Sequence, residues 1–165
     1  MKVKRRSLAK TEADWGAIAA PSGYRLASAG LWDLGALQRL EKVCFPQDAW
    51  PLIELLGVLI WPNMARCKIV FGEEMVGFAA GQEIDGAGWI VTLAVHPAHR
   101  RRGLGRALLM ACEQFLSHAV LRLAVRASNH AAQALYRHGG YQVVDRWPRY
   151  YVDGEDALVM EKIRG

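Results

Sequence analysis

Residues 89–116 constrain this chain more than any other stretch. They open on an apolar run, Trp89-Ile90-Val91-Thr92-Leu93-Ala94-Val95, then pass through His96-Pro97 and the basic cluster His99, Arg100, Arg101 and Arg102 to Gly103 and Gly105. Apolar residues then recur at helical spacing, at Leu104, Leu108, Ala111, Cys112 and Phe115. The pattern predicts a buried strand, a turn and an amphipathic helix. The first turn of that helix is rich in glycine and arginine. Bare backbone N–H groups and positive charge at a helix start are what a phosphate requires. The helix dipole adds roughly half a positive charge there.

At 165 residues the chain has the length of one domain, expected over residues 23–165 behind a basic tail at 1–22. No apolar run approaches the roughly 18 residues that span a bilayer. The charged start Met1-Lys2-Val3-Lys4-Arg5-Arg6 is not followed by the apolar stretch of a secretory signal, so no membrane partner is expected. The net charge is +5, and Lys2, Lys4, Arg5, Arg6 and Lys10 account for all of it. They leave 16 basic residues of the 21 against 16 acidic ones from Thr11 onward. Basicity is therefore a tail and one internal cluster. Aromatic residues do not interleave with that cluster, so specific nucleic-acid binding is not expected, only weak ribosome or RNA contact by the tail. Cys44, Cys67 and Cys112 are too few and too scattered for a disulfide framework or a zinc site. A reducing, cytoplasmic setting and no metal are expected.

The rest of the chain supplies the frame. A first strand is expected at 24–27, an amphipathic helix at 31–43 and a second helix at 51–60 that begins on Pro51. Three strands follow at 65–71, 75–84 and 89–95, joined by the short turns of antiparallel hairpins. The helix of the opening stretch runs to about His118. A strand at 121–125, a helix at 129–137 closed by Gly139-Gly140, and strands at 141–145 and 157–162 complete the chain. The expected class is α/β, a mixed sheet with helices on its faces.

Arg100-Arg101-Arg102-Gly103-Leu104-Gly105 fits R-x-x-G-x-G between that strand and helix. The Lys-Ser/Thr ending of a Walker loop is missing, and the spacing is too short for a dinucleotide-binding fingerprint. Downstream lie Val125-Arg126-Ala127-Ser128-Asn129, Ala134-Leu135-Tyr136 and Gly139-Gly140-Tyr141. Together these segments resemble the two-part acetyl-CoA signature of the GNAT superfamily of N-acetyltransferases. Cys44-Phe45-Pro46 with Trp50, Arg149-Tyr150-Tyr151, and Glu155-Asp156-Ala157 with Met160 bring the resemblance closer to its RimI-like branch, which acetylates ribosomal-protein N-termini.

The resemblance implies a mostly antiparallel sheet with helices on both faces, splayed between the fourth and fifth strands. It implies direct acetyl transfer from acetyl-CoA to an amine, without a covalent enzyme intermediate. Backbone groups of Leu93, Ala94 and Val95 would hold the pantetheine arm. The loop Arg100, Arg101, Arg102, Gly103, Leu104, Gly105 and Arg106 would hold the pyrophosphate, and Asn129 would contact the cofactor near its reacting end. Tyr136 matches the tyrosine assigned as general acid. Asn129 and Tyr136, seven residues apart, are expected on one helix face. The branch carries a glutamate base immediately before its Val-Arg-Ala-Ser-Asn run, and this chain has Ala124 there. Glu83, Asp85, His96 and Tyr150 are the substitutes considered, beside a bound water. Three functions compete: acetylation of a protein or peptide N-terminus, acetylation of a small amine, and CoA binding without catalysis.

Overall fold

The computed structural model describes residues 18–165. The basic segment at 1–10, with the contact expected of it, lies outside the described residues. The elements run β1 (Arg25–Ser28), α1 (Leu34–Cys44), α2 (Leu52–Ile60), β2 (Met64–Phe71), β3 (Glu74–Ile84), β4 (Ala87–Val95), α3 (Leu104–Leu116), β5 (Val120–Arg126), α4 (His130–His138), β6 (Gln142–Trp147) and β7 (Ala157–Ile163). Each falls within a few residues of its expected place. The helix expected from Leu31 begins instead with a 3-10 turn at Leu31–Asp33. The Asp33 carboxylate accepts the Gly30 N–H at 2.9 Å and holds Lys68 at 2.7 Å, which tightens that turn before α1 starts.

The seven strands form one sheet in the order β1-β2-β3-β4-β5-β7-β6. Every neighbouring pair is antiparallel except β4 and β5. That parallel pair holds for three rungs, Gly88 with Leu121, Trp89 with Arg122 and Ile90 with Leu123. Beyond Ile90 the strands part. The β3–β4 register also shifts there, since Gly81 pairs with Ile90 and Ala80 with Thr92, which leaves Val91 as a bulge. Bulges bend a strand and raise its twist, and this one lies where β4 leaves β5.

Helices cover both faces. The apolar side of α3, including Leu104, Leu108, Ala111, Cys112 and Leu116, packs with Leu121, Leu123, Val125 and Tyr136 in one core. Leu37 and Leu40 of α1 pack with Leu55, Val58 and Leu59 of α2 against Phe78, Ala80 and Ala94 in a second core on the other face. Close approach fixes α3. A Cβ on Gly81 would lie 2.7 Å from the Trp89 carbonyl oxygen and 2.9 Å from Leu116 Cδ1. The carbonyl belongs to the sheet and cannot yield. Gly81→Ala is therefore expected to cost about 1–3 kcal/mol, seen in circular-dichroism melts as a fall of about 3–10 °C.

Candidate active site

The parting of β4 and β5 leaves a gap at the sheet's centre, and α3 begins beside the end of β4. Gly103 caps α3 at φ +83° and Arg101 sits at φ +62°, so two residues of this loop are left-handed. Glycine takes that conformation without the Cβ clash that other residues meet. The first helical bond runs from Ala107 N–H to the Gly103 carbonyl. The N–H groups of Leu104, Gly105 and Arg106 therefore precede the i→i−4 ladder and stay free for an anion. Gly105 serves packing: a Cβ there would meet Leu135 Cδ2 at 3.1 Å, so the glycine lets α3 sit against α4.

The arginines divide. Arg100 folds back and donates through Nε to the Val95 carbonyl at 3.0 Å. Arg102 donates to the Tyr24 hydroxyl at 3.2 Å, and that hydroxyl also shares a 2.9 Å hydrogen bond with His99 Nδ1. His99 is half-buried and packs on Phe71 and Tyr24. Arg101 and Arg106 are exposed and free of ion pairs among the described residues.

On β4, His96 N–H bonds to the Val76 carbonyl of β3. Strand alternation then turns the backbone groups of Val95 and Leu93 into the gap. Ala94 departs from expectation, since alternation turns its polar groups toward β3 and its methyl is buried against α1 and α2. The Val95 carbonyl already accepts Arg100 Nε and, at 3.4 Å, the Cys44 thiol.

Tyr136 on α4 is buried at 8% exposure among the residues of the α3 core. Burial, then the nearby Tyr151 phenol, push its own phenol well above the ordinary range. Among the described residues its hydroxyl has no hydrogen-bond partner. Such a group stays protonated at neutral pH and can donate. Asn129 does not share a helical face with it. Asn129 precedes α4 as its N-cap, where its Oδ1 accepts the Ala132 N–H at 3.1 Å, and only its amide NH2 remains to offer. Gln133, unremarked in the sequence, docks the helix: 3% exposed, it donates to the carbonyls of Arg126 and Ala127 at 3.1 and 2.9 Å.

Leu121, Leu123 and Val125 of β5 face α3, so Arg122, Ala124 and Arg126 face the opposite side. Their β7 partners Glu161, Val159 and Ala157 share that side. An open groove of about 330 Å³ crosses it, lined by Trp89, Arg122, Asp145, Trp147, Val159 and Glu161. Aromatic rings continue from it in a row, Trp89 to Trp147 at 5.9 Å, Trp147 to Tyr150 at 5.3 Å and Tyr150 to Tyr151 at 5.1 Å. Beyond Ala124, Arg126 gathers Asp48, Asp153 and Glu155.

Two of the substitutes considered for the missing base lie away from this place. Glu83 and Asp85 sit at the β3–β4 hairpin, the end of β4 opposite the gap, where Glu83 bonds His118 at 3.1 Å. His96 accepts the Ala98 N–H at 3.1 Å as a cap. Tyr150 is 55% exposed within the aromatic row. A carboxyl that the sequence did not flag, Glu41, lies buried on α1 at 1% exposure. It accepts the Thr92 hydroxyl at 3.5 Å and the Trp50 N–H, and its Oε2 has no partner among the described residues. Burial raises its pKa. No cluster of three metal-ligating side chains occurs among the described residues.

A family model described as the acetyltransferase (GNAT) family matches residues 35–141. The catalytic subunit NAA10 of the N-terminal acetyltransferase A complex of Arabidopsis thaliana is 33% identical over 139 residues, 79% of this chain and 72% of that protein. The N-alpha-acetyltransferase RimI of Mycobacterium tuberculosis is 36% identical over 123 residues, 72% of this chain and 78% of that one. The crystal structure of the ribosomal-protein-S18-alanine N-acetyltransferase from Escherichia coli superposes with a TM-score of 0.76 at 30% identity, covering 86% of this chain and 96% of that one.

Proposed function

This chain belongs to the acetyltransferase (GNAT) family and is an acetyl-CoA-dependent N-acetyltransferase, and we propose that it acetylates the α-amine of a protein or peptide N-terminus at the face of the sheet around Ala124. One observation carries the reading. The gap between β4 and β5 opens past Ile90, next to Ala124, and the sheet face that carries Ala124 also carries an open groove floored by Val159 and walled by Trp89 and Trp147. An open groove admits a chain, whereas a small cation is held best by a closed acidic pocket.

The residues divide the work. The first-turn N–H groups of α3 and the charges of Arg101 and Arg106 fit the pyrophosphate. Leu93 and Val95 offer backbone groups to the pantetheine arm, and Asn129 offers its amide. The bulge at Val91 turns backbone toward the place where the tetrahedral oxyanion forms, and N–H donors there stabilise that charge. The amine attacks the thioester carbonyl. Tyr136 gives its proton to the departing sulfur and recovers one from solvent. The position of the family's glutamate is Ala124, so the amine's proton passes to water. The three free cysteines, Cys67 and Cys112 buried and Cys44 half-buried, fit a reducing cytoplasm.

The test is turnover. The protein is incubated with acetyl-CoA and either N-terminal peptides of varied first residue or a set of polyamines, amino acids and small aromatic amines, with CoA release as readout. The reading expects kcat/KM for a preferred peptide to exceed that of every small amine by about a hundredfold, about 2.7 kcal/mol of transition-state binding. Turnover of small amines alone overturns it, and CoA binding without turnover favours the non-catalytic module.

A further inference from the structure

We infer that Arg126 is a positioning residue that clamps together the two loops flanking the acceptor groove, so that the α1–α2 connection and the β6–β7 connection move as one wall. The inference rests on the proposed acceptor site. Arg126 ends β5, two residues past Ala124 and on the same face. Its Nε and Nη2 donate to the two carboxylate oxygens of Asp48 at 2.8 and 2.7 Å, a fork that seizes the α1–α2 connection. Its Nη1 reaches Asp153 at 2.9 Å and Glu155 at 2.6 Å in the β6–β7 connection. The guanidinium carbon lies 4.1 Å from the centre of the Tyr151 ring, itself in that connection.

The arrangement is more than a surface ion pair. The Arg126 side chain is only 17% exposed. Burial disfavours its charge, and the hydrogen bonds to Asp48, Glu155 and Asp153 outweigh that, so it stays a cation at any accessible pH. The second ends of the same carboxylates are also engaged: Glu155 Oε1 accepts the Ser128 N–H at 2.7 Å and Asp153 Oδ1 accepts the Glu155 N–H at 3.1 Å. Glu155 and Asp153 are thus oriented before Arg126 meets them, whereas Asp48 gives both its oxygens to Arg126. The α1–α2 connection is pinned a second time, since Glu41 accepts the Trp50 N–H from beneath. The Arg126 side chain touches neither the first-turn N–H groups of α3 nor Tyr136, and it reaches the Asn129 end of the donor site only through Glu155 and the Ser128 N–H, so its larger influence falls on the acceptor.

Two variants separate this from general stability. Arg126→Gln removes the hub and leaves three carboxylates uncompensated, and it will also lower stability. Asp48→Asn cuts one loop while Arg126 keeps Asp153 and Glu155. In Asp48→Asn the peptide KM is expected to rise about tenfold, with the acetyl-CoA KM unchanged within about twofold and kcat at saturating peptide largely kept. Amide hydrogen exchange is expected to quicken in both 45–50 and 148–156 in the same variant. An acetyl-CoA KM that rises with the peptide KM, or an unchanged peptide KM, overturns the clamp, as does faster exchange in 45–50 alone. The exchange arm needs no acceptor. If wild type turns over no peptide, the acceptor reading fails while coupled exchange still stands, and uncoupled exchange removes the clamp whatever the acceptor is.

Discussion

Tyr136→Phe is expected to lower kcat by about a hundredfold or more while both KM values stay within about threefold and the melting temperature stays unchanged. The two halves of that result come from one geometry. A phenol that protonates the leaving sulfur acts only as the thioester breaks, so its loss falls on kcat. Its ring, at 8% exposure, fills the core beside Tyr141 and is kept by phenylalanine. The hydroxyl has no hydrogen-bond partner among the described residues, so its removal leaves no protein group unpaired. Burial holds the phenol well above its ordinary range, so the wild-type rate should show no alkaline fall from its ionisation below pH 10 or so. Single-turnover rates of the two proteins from pH 6 to 10, with parallel melts, check both halves. Equal rates would take the acid role from Tyr136.

Ala124→Glu is expected to raise kcat/KM for a peptide α-amine at least tenfold near pH 6.5 and to change little above pH 9. The sign follows from which form of the amine attacks. Only the neutral amine is a nucleophile, and a free α-amine is half protonated near pH 7.7–8.0. Without a carboxylate above the floor, the wild-type profile should climb by about a factor of ten per pH unit until that ionisation is passed. A glutamate there takes the proton within the complex. Its own ionisation lies near 4.3 in water, and because Arg122 is already paired with Glu161 and Arg126 with Asp48, Asp153 and Glu155, the surrounding acids raise it from there toward the working pH of a base. The rising limb therefore moves to lower pH. The profile of kcat/KM against pH for both proteins decides it, and coincident profiles would place the amine away from residue 124.

The succession of strands and helices along the chain was legible because their periods are long and their turns conventional: alternation in 75–84, apolar recurrence in 104–116, paired glycines after 138. The donor side was legible for a related reason. It is made of contiguous backbone, so a local pattern such as Arg100 to Gly105 carries it. Geometry refined two of its members. Ala94 sits between two strand residues that face the gap, and alternation sends its polar groups the other way. Asn129 was placed on a helix that begins one residue after it. The acceptor side was not legible, because nothing contiguous builds it. Asp48, Arg126, Asp153 and Glu155 are up to 107 positions apart and meet through β5 and two connections. Its traces in the sequence are scattered, with Arg122 and Arg126 in a strand otherwise apolar and Glu155 in the Glu155-Asp156-Ala157 run. Glu41 left no trace, since one acid on a helix of mixed polarity reads as solvent-facing until β4 and the α1–α2 connection close over it.

The three-rung pairing of β4 with β5 bears on the pace of the enzyme as well as its shape. Past Ile90 the facing edge of β4 has no strand beside it, and the donor proposed to lie along Leu93 and Val95 would make bonds of the kind a strand makes. Arrival of the donor is then a form of strand addition, and departure of the spent thiol is an unzipping. Each added rung deepens the hold on substrate and product alike, so a shorter gap, with fewer rungs for the donor, would turn over faster and bind more loosely. Sheet architecture becomes a setting of the catalytic cycle, with residence time written in the number of backbone groups left without a neighbour.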